Sequence, residues 1–241
     1  MERTEWLSQM RRNAEALYDR FAARYWVTWG MTVEETHRSY LGKFLERIPS
    51  GGRILSAACG AGRFDGLLLE AGHPVVGIDQ SAGVLNVARE RFPQVDYRKM
   101  ALHEMNFREE FDGVLCMDAM EHICPEDYPG ILCGFQQALK PGGVLYFTAD
   151  REEDPDFDLE MYFELGKAAG LPIVFGEVAD VSAFQQAMEQ ADASDELTDR
   201  GVYHYYPPLA QVRKWIEQAG LIIEEDGVGS GFHHFLARKD A

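Results

Sequence analysis

The stretch ILSAACGAGRFDGLLLEAGHPVVGID, residues 54–79, decides the fold. A short apolar run over 53–58 predicts a buried strand. It enters a turn carrying Gly60 and Gly62, continues at helical spacing over 62–72, and closes on a second apolar run over 74–79 that ends in Asp79. Strand, glycine turn, helix and strand in such quick succession form a βαβ unit with parallel strands. The alternation continues downstream. A helix is predicted over 81–92 with Ser81 as N-cap, a strand over 95–100, a strand over 111–118, a helix over 128–139 and a strand over 142–150. The class is α/β, with a doubly wound sheet.

Working outward, residues 1–47 show apolar positions at helical spacing (Trp6, Met10, Leu17, Phe21, then Tyr40, Phe44, Leu45). They predict two or three helices with an aromatic bend around Tyr25, Trp26 and Trp29, forming an N-terminal helical cap. Residues 48–150 and 207–241 make the sheet domain, and 151–206 interrupt it. The interruption holds plausible helices over 161–170 and 182–194 and an aromatic loop, GVYHYYPP, over 201–208. The chain ends in a helix over 209–220 and two strands over 221–229 and 232–239, with no helix between them.

Composition bounds the function. The chain has 241 residues, 46% hydrophobic and 26% charged, which excludes wholesale disorder. No apolar run is long enough for a membrane span, and the N-terminus lacks the apolar core of a secretion signal. Four scattered cysteines without a CxxC pair argue against a disulfide scaffold and structural zinc, so a reducing cytoplasm is the expected location. Forty acids against 23 bases give a net charge of −17, which repels nucleic-acid backbones. Residues 151–199 hold 14 of those acids and two bases, a net of −12, so the sheet domain itself is nearly balanced.

The glycine turn and Asp79 carry the first chemistry. Gly60 and Gly62 let a ligand lie against bare backbone. Asp79, 17 residues past Gly62, stands where a carboxylate accepts both hydroxyls of an adenosine ribose. Two cofactor classes fit, NAD(P) and S-adenosylmethionine. A dinucleotide favours a third glycine for the pyrophosphate, and Asp65 stands at that position, so the loop favours S-adenosylmethionine.

The motifs ILSAACGAGRF (54–64), GIDQS (77–81), FDGVLCMDAMEHI (111–123) and LKPGG (139–143), with the helix-free ending, resemble a class I S-adenosylmethionine-dependent methyltransferase. Met117, Asp118, Glu121 and His122 resemble the small-molecule O-methyltransferases of quinone biosynthesis. The resemblance implies a seven-stranded sheet of order 3-2-1-4-5-7-6 with the last strand antiparallel, and a substrate lid at 151–206. It places Ala58, Gly60 and Gly62 along the methionine portion of the cofactor, Asp79 on the ribose, and Gln80, Ala101 and Leu102 beside the adenine. Met117 and Asp118 would border the methionine and substrate side. Arg38 stands at the distance of an arginine such relatives use, with a solvated helix position as its other reading. The chain departs from the pattern at Ser56, where an acid is usual, at Ala58 in place of a glycine, and at Ala101 in place of an acid. An alanine at 58 is expected to need a negative φ.

On the acceptor side, His122 is the first candidate base, with structural packing as its alternative, and Glu121 is its neighbour. His204, in the Tyr203–Tyr206 aromatic run, is either part of a substrate wall or of a packed linker. Tyr18 and Tyr25 can cap a sulfonium by cation–π contact or simply pack. His233 and His234 are read as structural; His37, His73 and His103 as surface positions. Asp118, Glu121 and His122 lack the further ligands a metal site needs, so none is expected. The expected partner is a small-molecule acceptor, and the acidic insert suits a cationic or amine one. The competing functions are a non-catalytic cofactor-binding or partner subunit and an NAD(P)-dependent oxidoreductase.

Overall fold

The computed structural model describes residues 3–150, 173–175 and 202–240. Five strands run in parallel from the glycine turn onward: β1 Ile54–Ala57, β2 Val75–Asp79, β3 Asp96–Lys99, β4 Phe111–Cys116 and β5 Leu139–Asp150. Two short strands, β6 Ile173–Phe175 and β7 Val202–His204, pair in parallel as a separate ribbon. The terminal strands β8 Leu221–Gly229 and β9 Phe232–Lys239 complete the main sheet. Its order is β3-β2-β1-β4-β5-β9-β8. Counted within that sheet alone, this is 3-2-1-4-5-7-6, and the last strand is antiparallel to both neighbours. The helix-free ending makes this topology possible, because a direct turn returns the chain antiparallel whereas a helix would return it parallel.

The period-2 alternation of the strands divides the core. Ile54, Val144 and Tyr146 face one layer, with Tyr40, Leu41 and Phe44. Leu55, Ala57, Leu145 and Phe147 face the other, with Trp6, Met10, Phe135 and Val212. Burial on both faces explains why the strands read as continuous apolar runs. The helices are α1 Arg3–Tyr25, α2 Glu35–Glu46, α3 Asp65–Glu70, α4 Ala82–Arg91, α5 Tyr128–Ala138 and α6 Leu209–Gln218.

The N-terminal region is one long helix, a π-helical turn over Trp26–Gly30 and α2, with the aromatic bend where the sequence places it. Helix α3 is shorter than its pattern: Gly62 at φ +84° and Gly72 at φ +86° lie outside right-handed helix space. Ser81 caps α4, its Oγ accepting from Val84 N at 3.2 Å. Asp19 of α1 accepts from both Ser81 Oγ (2.6 Å) and Gly83 N (2.8 Å), which docks α1 onto the start of α4. Within the 201–208 stretch, Val202–His204 form a strand beside α1, and Tyr205 is buried against Tyr128. The helices predicted over 161–170 and 182–194 fall outside the described residues. No helix among the described residues is long and apolar enough to cross a membrane.

Two histidines read as surface residues are interior. His37 is fully buried on α2, and His73 is buried with its Nδ1 2.9 Å from Gly52 O. Each satisfies polar atoms that burial would otherwise strand.

A glycine pair tests the packing. A Cβ on Gly77 would stand 2.4 Å from the Tyr97 ring, whose hydroxyl donates to buried Asp65 at 2.7 Å. Gly130, in α5, has nothing within 4 Å. Gly77→Ala is expected to cost about 1–3 kcal/mol by overpacking. Gly130→Ala is expected to gain up to about 1 kcal/mol by helix propensity. Denaturant melts of the two variants should therefore move in opposite directions.

Candidate active site

The site stands at the carboxyl edge of β1, β2 and β4. After β1 the chain turns through Ala58 (φ +51°), Gly60 (φ +55°) and Gly62 (φ +84°). The expectation of negative φ at Ala58 is therefore wrong. An alanine there holds a left-handed conformation that costs about 1–2 kcal/mol. Its neighbour is anchored to β2, with Cys59 N donating to Ile78 O at 2.9 Å. At the end of β2, Asp79 accepts from Gly60 N at 2.9 Å through Oδ2 and from Ser81 N at 2.8 Å through Oδ1. Burial pushes its carboxyl up to about 6, against the lowering effect of these backbone N–H groups.

These residues border a cleft of about 750 Å³, part of it open to solvent. It brings together Tyr18, Tyr25, Ala58, Gly60, Asp79, Gln80, Ala101, Leu102, Asp118 and His122. Met117 lines a smaller adjoining cavity with Ser56, Ala58, Arg63, Asp118 and Tyr25. Two predicted residues stand apart, and a third is not placed. Gly62 faces Phe92 and Tyr97 rather than the cleft, so its role is the turn and its packing. Arg38 is exposed and its Nε donates to Val33 O at 3.1 Å. The side chain of His204 lies outside what is described. Asp65 sits in the core beneath Tyr97, where burial raises its carboxyl to about 6 despite Ser56 and Tyr97.

Asp118 is the most connected acid. It has φ +50°, and its N–H donates to Thr148 Oγ1 at 2.7 Å. Its Oδ1 accepts from His37 Nε2 and from Thr148 Oγ1, both at 3.0 Å, and its Oδ2 accepts from Arg63 at 2.6 Å. Burial alone would raise this carboxyl, but His37, Arg63 and Thr148 together hold it below the usual range. Arg63 also donates to Thr32 O (2.9 Å) and Glu34 (2.6 Å).

The sequence reading missed Arg63 and His37. Arg63 directly follows the second glycine of the loop. His37 occupies the buried stripe of α2 with Tyr40, Leu41 and Phe44, the i, i+3, i+4, i+7 spacing, while Arg38 falls on the outer face. That spacing was the available signal.

Across the cleft, Tyr18 Oη lies 2.6 Å from His122 Nε2, and their rings meet edge to face at 5.3 Å. Glu121 is buried, and desolvation together with the nearby Asp118 charge raises its carboxyl to about 8, so it is largely protonated at neutral pH. Tyr25 lies against Gly60, where an added Cβ would stand 2.6 Å from its hydroxyl. Burial and Asp79 raise its phenol, which stays protonated.

Residues 54–143 match a family described as "Methyltransferase domain". Over that stretch the chain is similar to a methyltransferase domain. It is 27% identical over 223 residues to a ubiquinone biosynthesis O-methyltransferase of Xanthomonas axonopodis pv. citri, covering 86% of this chain and 80% of that protein. A Bradyrhizobium protein of the same name is 37% identical over 100 residues, covering 40% of this chain and 39% of that protein. Among solved structures, a 1,6-didemethyltoxoflavin N1-methyltransferase of Burkholderia thailandensis with bound S-adenosylhomocysteine superposes with TM-score 0.65 at 16% identity. That match covers all of this chain and 92% of the other. A TehB-like S-adenosylmethionine-dependent methyltransferase of Corynebacterium glutamicum gives 0.59 at 17%, over 94% and 99% of the two chains.

The Corynebacterium protein is S-adenosylmethionine-dependent and the Burkholderia one holds S-adenosylhomocysteine. The residues of the present cleft fit that cofactor. The loop backbone is bare at Gly60, a carboxylate ends β2, and Asp118 offers a second, ionised acid where a cationic ligand needs one.

Asp79 gives the site a pH signature. If its carboxylate takes the ribose hydroxyls, binding favours the ionised form, so affinity for S-adenosylhomocysteine rises with pH up to about 6 and is flat above. Calorimetric titrations from pH 5 to 8 should show this slope, and Asp79→Asn should weaken binding and flatten it.

Proposed function

We propose that the protein transfers the methyl group to an oxygen or nitrogen of a small-molecule acceptor, with His122 taking up the proton that the acceptor releases. The observation that carries this reading is the 2.6 Å contact between Tyr18 Oη and His122 Nε2 on the wall of the cleft. S-Adenosylmethionine supplies a methyl group already activated by its sulfonium. The protein's task is then alignment, exclusion of water and removal of one proton.

Ala58, Gly60, Asp79, Gln80, Ala101, Leu102, Met117 and Asp118 hold the cofactor in this reading, and Tyr25 closes the wall over Gly60. Asp79 accepts the ribose hydroxyls. Tyr18 positions the imidazole when its hydroxyl donates to Nε2, and it can relay the acceptor's proton to that nitrogen. Protonated Glu121 adds no competing charge beside it at neutral pH. The name of the Xanthomonas relative favours oxygen as the methylated atom.

His122→Asn is expected to lower kcat by roughly 10²- to 10⁴-fold. Affinity for S-adenosylhomocysteine should stay within threefold, because the loop and Asp79 are untouched. Equal activity of the variant on a hydroxyl acceptor would rule His122 out as the base. The screen that finds the acceptor is release of S-adenosylhomocysteine across phenols, catechols and amines.

The net −12 of residues 151–199 further supports an amine or cationic acceptor, drawn in by its field. Ionic strength then discriminates. Raising salt from 0.05 to 0.5 M, as rough end points, should raise KM for a cationic acceptor and leave KM for a neutral analogue unchanged.

A further inference from the structure

We infer that Arg63 and Asp118 form a clamp for the amino-acid end of the cofactor, Arg63 binding its carboxylate and Asp118 its ammonium. The inference rests on the cofactor assignment and is independent of the acceptor. The small cavity that adjoins the main cleft is lined by Ser56, Ala58, Arg63, Met117, Asp118 and Tyr25. Arg63 is the one cation among the described residues lining it. Both charged side chains are largely buried, 12% and 15% exposed, so charge contacts there are weakly screened by solvent.

The hydrogen-bond inventory leaves a specific remainder. A guanidinium has five N–H donors. Arg63 spends one each on Thr32 O, Asp118 Oδ2 and Glu34 Oε2, through Nε, one terminal nitrogen and the other. Each terminal nitrogen keeps one N–H for a further acceptor. A carboxylate offers about four acceptor positions. Asp118 fills three with His37, Thr148 and Arg63, and retains one beside Arg63. Two donors and one acceptor, fixed next to each other, are the complement of an α-amino acid zwitterion.

This arrangement also accounts for Ser56. The first strand offers a hydroxyl in this cavity and no charge. The charge stands instead at the end of β4, on Asp118, kept ionised by Arg63 and His37. The pair therefore supplies from the loop and β4 what β1 lacks.

The experiment is calorimetric binding of S-adenosylhomocysteine and of 5′-methylthioadenosine, which keeps the adenosine and sulfur but has no amino acid. Arg63→Gln should weaken S-adenosylhomocysteine by about 10- to 100-fold and leave methylthioadenosine within threefold. Equal losses for both ligands, or no loss for either, would overturn the clamp. Glu34→Ala removes the side-chain tie of Arg63 to the α2 segment, leaving the bond to Thr32 O, and should leave both affinities within threefold. A loss there as large as that of Arg63→Gln would mean that Arg63 acts by anchoring the segment, and would also overturn it. The unaltered protein provides the same test if Arg63→Gln fails to fold. S-Adenosylhomocysteine lacking its carboxylate should bind at least tenfold more weakly than the intact compound, and equal binding refutes the clamp. Absence of S-adenosylhomocysteine binding to the unaltered protein would refute the cofactor assignment itself.

Discussion

The carboxylate of Asp118 is the point on which the site's geometry depends. Four parts of the chain converge on it: the end of β4 that carries it, Thr148 of β5, His37 of α2 and Arg63 of the glycine loop. Neighbouring strands would hold β4 and β5 together in any case. The loop and α2 have no such ladder to join them, and the ionised carboxylate bridges them alongside the bonds of Arg63 to Thr32 O and Glu34. Burying a charge is tolerable only when its partners are in place, and removing one partner leaves the charge poorly compensated. The constraint is therefore cooperative: the loop, the cap helix and the strand end are either all in register or all destabilised. The left-handed backbone at Asp118, φ +50°, is part of this arrangement, at a residue type that tolerates that region better than most. Ala58, φ +51°, on the facing loop, has no such tolerance and is held there by the anchoring of Cys59 and Gly60 to β2.

Most of the sheet was legible in the sequence because its strands are buried on both faces and bounded by turn residues. Residues 54–79 gave two strands and their parallel relation, and the ending gave the antiparallel return. Element lengths were less legible. Helix α3 was overestimated because apolar spacing ran through Gly62, whose φ the spacing does not report. Asp79, Gln80, Ala101, Leu102 and His122 were legible as cleft residues because each follows a strand at the same edge of the sheet.

What sequence reading missed lies where tertiary contact outweighs residue type. His37 and Arg38 are adjacent, and only the arginine was weighed as functional, by distance from the loop and against a solvated helix position. Helical geometry turns them about 100° apart. His37 joined the buried stripe and Arg38 went to solvent. Asp65 was read as part of the loop's ligand-facing turn, whereas it stands in the core beneath Tyr97 rather than in the cleft. Its distance from the loop in sequence could not tell which side of α3 it would occupy.

The net charge of −17 says little about the field at the cleft, because its acids are in three different states. Asp118 is held ionised by Arg63 and His37. Asp79 meets only backbone N–H groups, so desolvation prevails and its carboxyl rises to about 6, still ionised at neutral pH. Burial and the nearby Asp118 charge raise Glu121, whose Oε1 lies 3.6 Å from His122 Nε2, to about 8. Near neutrality, then, Asp118 is a carboxylate paired with Arg63, Asp79 is a carboxylate held by backbone amides, and Glu121 is largely neutral. The separation follows from local partners: a guanidinium and a histidine at Asp118, several backbone amides at Asp79, and at Glu121 one backbone hydrogen bond that does not offset burial and the Asp118 charge.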